Sequence, residues 1–200
     1  MWPWEHLAVG YLCYSLLVRA LGRRAPRAWP VVAVAVGTQF PDLVDKPLAW
    51  TLGVLPSGHS LAHSLFTALP VAAFAVTLAW GFGRRDVGVA FAFGYLSHLP
   101  GDVFYPLLVG GPPTYGFLFW PVVPASATET SVGFVAMFRK LFARYVSELA
   151  SGEVSLYLAV ELGLLASVAL LWLVDGVPPL RSFWSRVRRH RTPNETEAPP

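Results

Sequence analysis

"VGVAFAFGYLSHLPGDVFYPLL", residues 87–108, decides the fold. Apart from two tyrosines, its ionisable groups are His98 and Asp102. As an α-helix it is long enough to cross ~30 Å of hydrocarbon. Yet an ionised carboxylate or an unpaired imidazole in such surroundings costs several kcal/mol, so a compensating partner is required.

The rest of the chain shares this apolar character. Of 200 residues, 54% are hydrophobic and only 14% charged, and the mean hydropathy is +0.51. That composition reads as an all-α, polytopic membrane bundle of about five helices plus an outer interfacial helix. Residues 61–82 carry no Asp, Glu, Lys or Arg, and residues 154–174 are interrupted only by Glu161. Two shorter apolar helices are expected at 7–18 and 29–40, the second bracketed at its outer end by Pro41 and Pro47. At ~18 Å it is too short to span alone and must be tilted, re-entrant or packed among the others.

A single integral-membrane domain over residues 1–180 follows, with its polar core in about 1–125. Residues 132–149, "VGFVAMFRKLFARYVSEL", read as an amphipathic interfacial helix. Residues 181–200 form a basic, polar tail with the composition of a disordered segment. The opening "MWPWEH" lacks the basic region of a signal peptide. The lone cysteine, Cys13, excludes an internal disulfide and a cysteine-rich zinc site.

Charge sets the expected orientation. Eleven of the 15 basic residues fall on alternate connections: Arg19, Arg23, Arg24 and Arg27, then Arg84 and Arg85, then five after residue 180. The other four are Lys46, Arg139, Lys140 and Arg144. By the positive-inside rule the chain crosses a cell membrane five times, with its N-terminus outside and its C-terminus cytoplasmic. The basic pI, near 9.2, then reflects topology and the anionic bilayer, not nucleic acid.

With this topology the unusual polar residues gather on one side. His6 stands at the outer end of the first helix, Asp42 and Asp45 at that of the second, and His59 and His63 at the outer start of the third. Counted from the inner helix ends, His6, Asp42, His98 and Asp102 lie ~16–22 Å up, with Asp45 and His63 somewhat higher. "GHSLAH" and "HLPGD" each place two side chains four residues apart, and "PDLVD" places two three residues apart, so each pair shares a helix face. Pro100 and Gly101 bear on that geometry because they can kink the helix between His98 and Asp102.

Taken singly, each residue reads as an interfacial histidine or a capping aspartate. Their joint occurrence points to a metal site made of His6, Asp42, Asp45, His59, His63, His98 and Asp102. This donor mixture suits zinc, with manganese or iron as other fits, better than magnesium or calcium. Seven candidates suffice for two ions sharing a carboxylate or for one ion with supporting groups. Asp42 and Glu161 are the candidates for a general base or such a support. Ser60 and Ser64 could orient imidazoles, whereas Glu129 reads as a solvated loop residue.

"HSLAH" lacks the glutamate of the H-E-x-x-H metalloproteases, and "VGGPPTYG" lacks the Lys-Ser/Thr of a phosphate-binding loop. Metal-assisted hydrolysis by an activated water remains the natural chemistry. The blocks "EHLAVGYL", "PDLVD", "GHSLAHSL" and "GYLSHLPGD", spread over residues 1–125, resemble the YdjM-type family of membrane-bound, predicted metal-dependent hydrolases. More distantly, His6, Asp45 with His59, and His98 with Asp102 resemble the helical zinc-dependent phospholipase C and P1-nuclease group. That likeness implies a phosphodiester or phospholipid substrate. The absence of histidine between residues 99 and 189 argues against the full three-zinc set.

Two function classes follow: a metal-dependent hydrolase of a phosphoester or lipid ester, and a metal-binding membrane protein without turnover, such as a transporter or assembly factor. The charge pattern makes its own prediction. A topology reporter fused after Arg85 or Arg191 should report the cytoplasm, and one at Gly110 the outside; the reverse result at Gly110 would move the polar cluster to the cytoplasmic face.

Overall fold

The apolar runs fold as helices in the computed structural model, which describes residues 1–22, 24–125, 133–151 and 155–184. Glu129, His190 and the tail beyond residue 184 lie outside the described residues. The helices are α1 (Pro3–Gly22), α2 (Ala28–Trp50), α3 (Leu65–Gly81), α4 (Arg85–Leu108), α5 (Phe134–Ala150) and α6 (Leu156–Val174), with a short 3-10 helix at Gly116–Phe119. Among the described residues no strand occurs. Ser64 caps α3 by accepting from the Phe66 amide, and Ser155 caps α6 by accepting from the Leu158 amide, each satisfying one of the unpaired donors of a helix start.

Among the described residues, α6 is the one helix both long and apolar enough to cross a membrane on its own; α3 is apolar but has 17 residues. Only 17% of the apolar stretch of α6 is buried by the rest of the protein. Leu162, Leu170 and Leu173 on α6, and Phe74 and Leu78 on α3, face outward. A helix that is apolar all round and largely uncovered is matched to hydrocarbon, not to water. α1, α2 and α4 have 20, 23 and 24 residues, but each carries ionisable groups inward.

The expectation for α2 needs correction. Its helix does not stop near Phe40 but continues to Trp50, with Pro41 and Pro47 inside it. Each proline withholds one amide from the ladder without ending the helix, because packing against neighbours outweighs the lost bond. α4 likewise runs through Pro100 and Pro106. His59 and His63 do not stand on α3; they lie in the irregular connection that precedes its cap, Ser64.

α2 and α4 form the centre, with α3 against the other side of α4 and α1 touching α2, α4 and α6. Small residues allow the central contact. A Cβ on Gly37 would lie 2.3 Å from the Phe91 carbonyl oxygen, and one on Gly94 would lie 2.4 Å from that of Val34. Reciprocal glycines thus bring the two backbones into direct contact, as in membrane helix pairs. At the opposite end Asp175, just beyond α6, accepts from Tyr11 Oη and Ser15 Oγ at 2.6 Å each and from Arg19 Nε at 2.8 Å, tying α6 to α1.

Gly94→Leu should therefore destabilise the protein by at least about 1–3 kcal/mol through overpacking and lower its metal retention. Gly163→Ala, at a position with open space around it, should do neither. Equal melting temperatures for both variants would show that the glycine contact does not hold α2 against α4.

Candidate metal centre

The centre is built around a buried carboxylate. Asp45, on the second half of α2, is fully buried. Its oxygens accept from the amides of Ser60 and Ala62 at 2.8 Å each and from that of His63 at 3.3 Å. They also take His63 Nδ1 at 2.8 Å. One carboxylate thus folds the connection before α3 and orients its histidine. From α4, Tyr95 Oη donates to the Ala62 carbonyl at 2.7 Å and holds the same connection from the other side.

The ring nitrogens follow from these bonds. His98 Nδ1 lies 2.6 Å from the Thr38 carbonyl, which can only accept, so Nδ1 carries the hydrogen. With both Nδ1 atoms engaged, His63 Nε2 and His98 Nε2 face each other at 3.1 Å. Two lone pairs at that separation need a cation between or beside them.

The carboxylates make the same demand. Asp42 Oδ1 and Asp102 Oδ2 are buried without a hydrogen-bond donor. Asp42 Oδ1 lies 3.5 Å from His63 Nε2 and 3.8 Å from His98 Nε2; Asp102 Oδ2 lies 3.4 Å and 3.0 Å from the same atoms. One ligand atom each from Asp42, His63, His98 and Asp102 falls within 4.8 Å of the others. An ion bound tetrahedrally at ~2.0–2.2 Å sets ligand–ligand edges of about 3.3–3.6 Å, close to these distances. The four residues can therefore hold a metal ion. Burial works against charge on His63, but Asp102, Asp42 and Asp45 outweigh it, and its imidazole is pushed up to about 10. A proton is retained where a metal's charge fits.

The remaining candidates surround this group. His6 stacks on His98 with ring centroids 3.6 Å apart. Its Nε2, also buried without a donor or acceptor, lies 3.2 Å from Asp102 Oδ1. Gly101 makes room for it, since a Cβ there would come within 3.3 Å of the His6 ring. His59 Nε2 is 3.5 Å from Asp102 Oδ2, and its side chain is 41% exposed. Asp102 is thus flanked by all four histidines of the described residues. Asp45 stands behind His63 with its oxygens committed to the connection, in the supporting position of a carboxylate–histidine–metal arrangement.

Glu161 is placed elsewhere. It accepts from Trp4 Nε1 at 2.7 Å and from Tyr145 Oη at 3.0 Å, joining α6 to α1 and α5. Ser60 touches Asp45 through its amide, and Ser64 Oγ donates to the Trp120 carbonyl at 2.6 Å; neither hydroxyl bonds to an imidazole. Several neighbours escaped the sequence reading. The Thr38 carbonyl carries no side-chain signal at all. Lys46 Nζ binds Asp42 Oδ2 at 2.5 Å, and its signal was present in "PDLVDK" as a cation one turn beyond Asp42.

A cavity of about 760 Å³ opens beside the centre, with Asp42 and His59 in its wall. α5 forms part of its wall, tied at its start by the Gly133 amide to the Trp50 carbonyl and by the Phe134 amide to Thr51 Oγ1. Trp2 packs against Phe138, Phe142 and Tyr145 of the same helix.

Fold and centre together define a helical membrane protein whose buried Asp–His group can hold a metal ion. The chain belongs to the YdjM inner membrane protein family, whose model matches residues 1–178. No curated protein and no solved structure matches it. Membership places the protein in a cell membrane.

If one ion joins α4 to the connection before α3, a double-mutant cycle between His63→Ala and His98→Ala should be strongly non-additive in zinc affinity. Asp45→Asn should weaken that affinity by about 10–100-fold without abolishing it. Additive losses would mean that the two imidazoles serve separate purposes.

Proposed function

We propose that this protein is an integral-membrane, metal-dependent hydrolase acting on a phosphoester or lipid ester, with zinc the best fit and manganese or iron the other candidates. The observation that carries this reading is the cavity beside the centre, with Asp42 and His59 in its wall. Structural metal sites are closed, whereas catalytic sites keep a position open to substrate.

His63, His98 and Asp102 would hold a divalent ion, with Asp42 at the cavity side; such an ion would acidify a water towards neutrality and polarise an ester or phosphoryl oxygen. The chain's own groups do the rest. Asp45 and the Thr38 carbonyl engage Nδ1 of His63 and His98, which leaves Nε2 of each aimed inward, where an ion would take the place of the proton. Asp42 presents Oδ1 to the centre while Lys46 holds Oδ2, so this carboxylate is placed to support or to accept a proton. Asp102 Oδ1 takes the Met1 ammonium at 3.0 Å beside His6, and Oδ2 faces His59, His63 and His98, so Oδ2 is the oxygen free for an ion. Glu161, bonded to Trp4 and Tyr145, serves as a distant support rather than as the base.

In this reading α1, α2, α3, α4 and α6 cross the membrane and α5 lies in its outer interface, with the N-terminus outside and the C-terminus cytoplasmic. The exposed apolar faces of α3 and α6 and the alternating basic connections support that arrangement.

Purified protein should carry one or two equivalents of metal, zinc first, and should hydrolyse a phosphodiester or lipid-ester probe. Asp102→Asn should lower that rate at least about 100-fold, as the loss of a metal-centred nucleophile would. Full metal content with no turnover across a panel of such esters would favour the binding protein over the enzyme.

A further inference from the structure

The basic residues that break the charge pattern direct attention to the cavity. Of the four on the connections poor in positive charge, Lys46 and Arg144 line it. Lys46 lies between the centre and the aromatic wall: its ammonium contacts Asp42 Oδ2 at 2.5 Å and sits 5.7 Å from the centre of the Trp50 ring. Arg144 enters from α5 beside Tyr145. Much of the remaining lining is apolar, including Leu43, Trp50, Val109, Phe134, Phe138 and Leu141. Asp42, which Lys46 meets, and Glu148, one turn beyond Arg144, stand in the same wall; with Asp42 committed to the metal centre, the two cations and the broad apolar remainder match a molecule with one anionic end and a hydrocarbon body. Its volume, about 760 Å³, lies within the range of sites that enclose most of a small ligand.

We infer that this cavity binds an amphiphile whose head group is a phosphate, with Lys46 and Arg144 selecting the head-group charge and the aromatic wall taking the chains. The inference rests on the hydrolase reading for what becomes of the ligand, but not for its binding. Phosphate suits the site better than a single carboxylate. A phosphate monoester carries about −1.5 to −2 charge near neutrality, enough to engage both cations, and the guanidinium fork matches its oxygens. Arg139 serves as the internal control, because it is on the same helix but does not line this cavity.

The test uses the full chain in detergent, stripped of metal by chelation, with tryptophan fluorescence reporting binding through Trp2 and Trp50 of the wall. Dihexanoyl phosphatidic acid should bind more tightly than dihexanoyl phosphatidylcholine, decanoate or inorganic phosphate. Lys46→Met and Arg144→Met should each weaken it about 10-fold, the size of one charge-assisted contact, while Arg144→Lys retains part of the affinity and Arg139→Met all of it. Arg144→Met keeps the test decisive should Lys46→Met unsettle Asp42. Inorganic phosphate binding as tightly would overturn the apolar half of the inference, and decanoate binding as tightly would overturn the phosphate half. An equal loss in Arg139→Met would reduce the effect to general surface charge. Selective binding by a protein that hydrolyses nothing would refute the hydrolase and leave this inference standing, whereas turnover that is indifferent to Lys46 and Arg144 would do the reverse.

Discussion

The bonds to Asp45 organise everything that the site requires. A carboxylate removed from water costs several kcal/mol unless its oxygens are saturated. Here three amides and an imidazole saturate them. Those donors belong to an irregular segment that has no helix of its own to satisfy its backbone. Asp45 and the connection therefore solve each other's problem: the charge finds donors, and the donors find an acceptor inside an apolar bundle. Once that exchange is made, His63 has one tautomer and one direction.

The same rule, that ionisable groups in hydrocarbon must be compensated, accounts for the placing of the other buried acids. Glu161 is met by Trp4 and Tyr145, and Asp175 by Tyr11, Ser15 and Arg19. Each of these contacts joins α6 to α1 or α5, so α6, whose surface is otherwise apolar, is held by polar contacts near both of its ends. Asp42 and Asp102 are the exceptions. Each keeps one oxygen without a donor, and those two oxygens face the same pair of imidazoles. A compensated acid holds helices together, whereas an uncompensated acid beside histidines marks a place for an ion.

Helix hydropathy and site chemistry pull against each other in this chain. α1, α2 and α4 supply His6, Asp42, Asp45, His98 and Asp102, and so they are poorer membrane spans by composition than α6. Their inward faces are covered by one another through the glycine contact between α2 and α4, while α3 and α6 turn apolar surface outward. Apolar surface is thus turned outward chiefly by the helices with the least chemistry.

Residues 87–108 alone determined that the chain is helical and that it carries polar groups in need of partners, because a long apolar run with two ionisable residues admits few other readings. Asp42, His63, His98 and Asp102 were legible as ligand-type residues for the same reason: each is expensive where it stands. What they meet was decided only by tertiary structure. Local spacing suggested a helical pair for His59 and His63, but the connection before α3 is irregular, since its backbone donors are satisfied by Asp45, fifteen or more positions away. The span of α2 through Pro41 and Pro47 likewise followed from packing that outweighs two missing amides. Glu161 read as a candidate base or support, and its partners Trp4 and Tyr145 could not be read beside it, because burial is written in composition, whereas a hydrogen-bond partner depends on which helices adjoin.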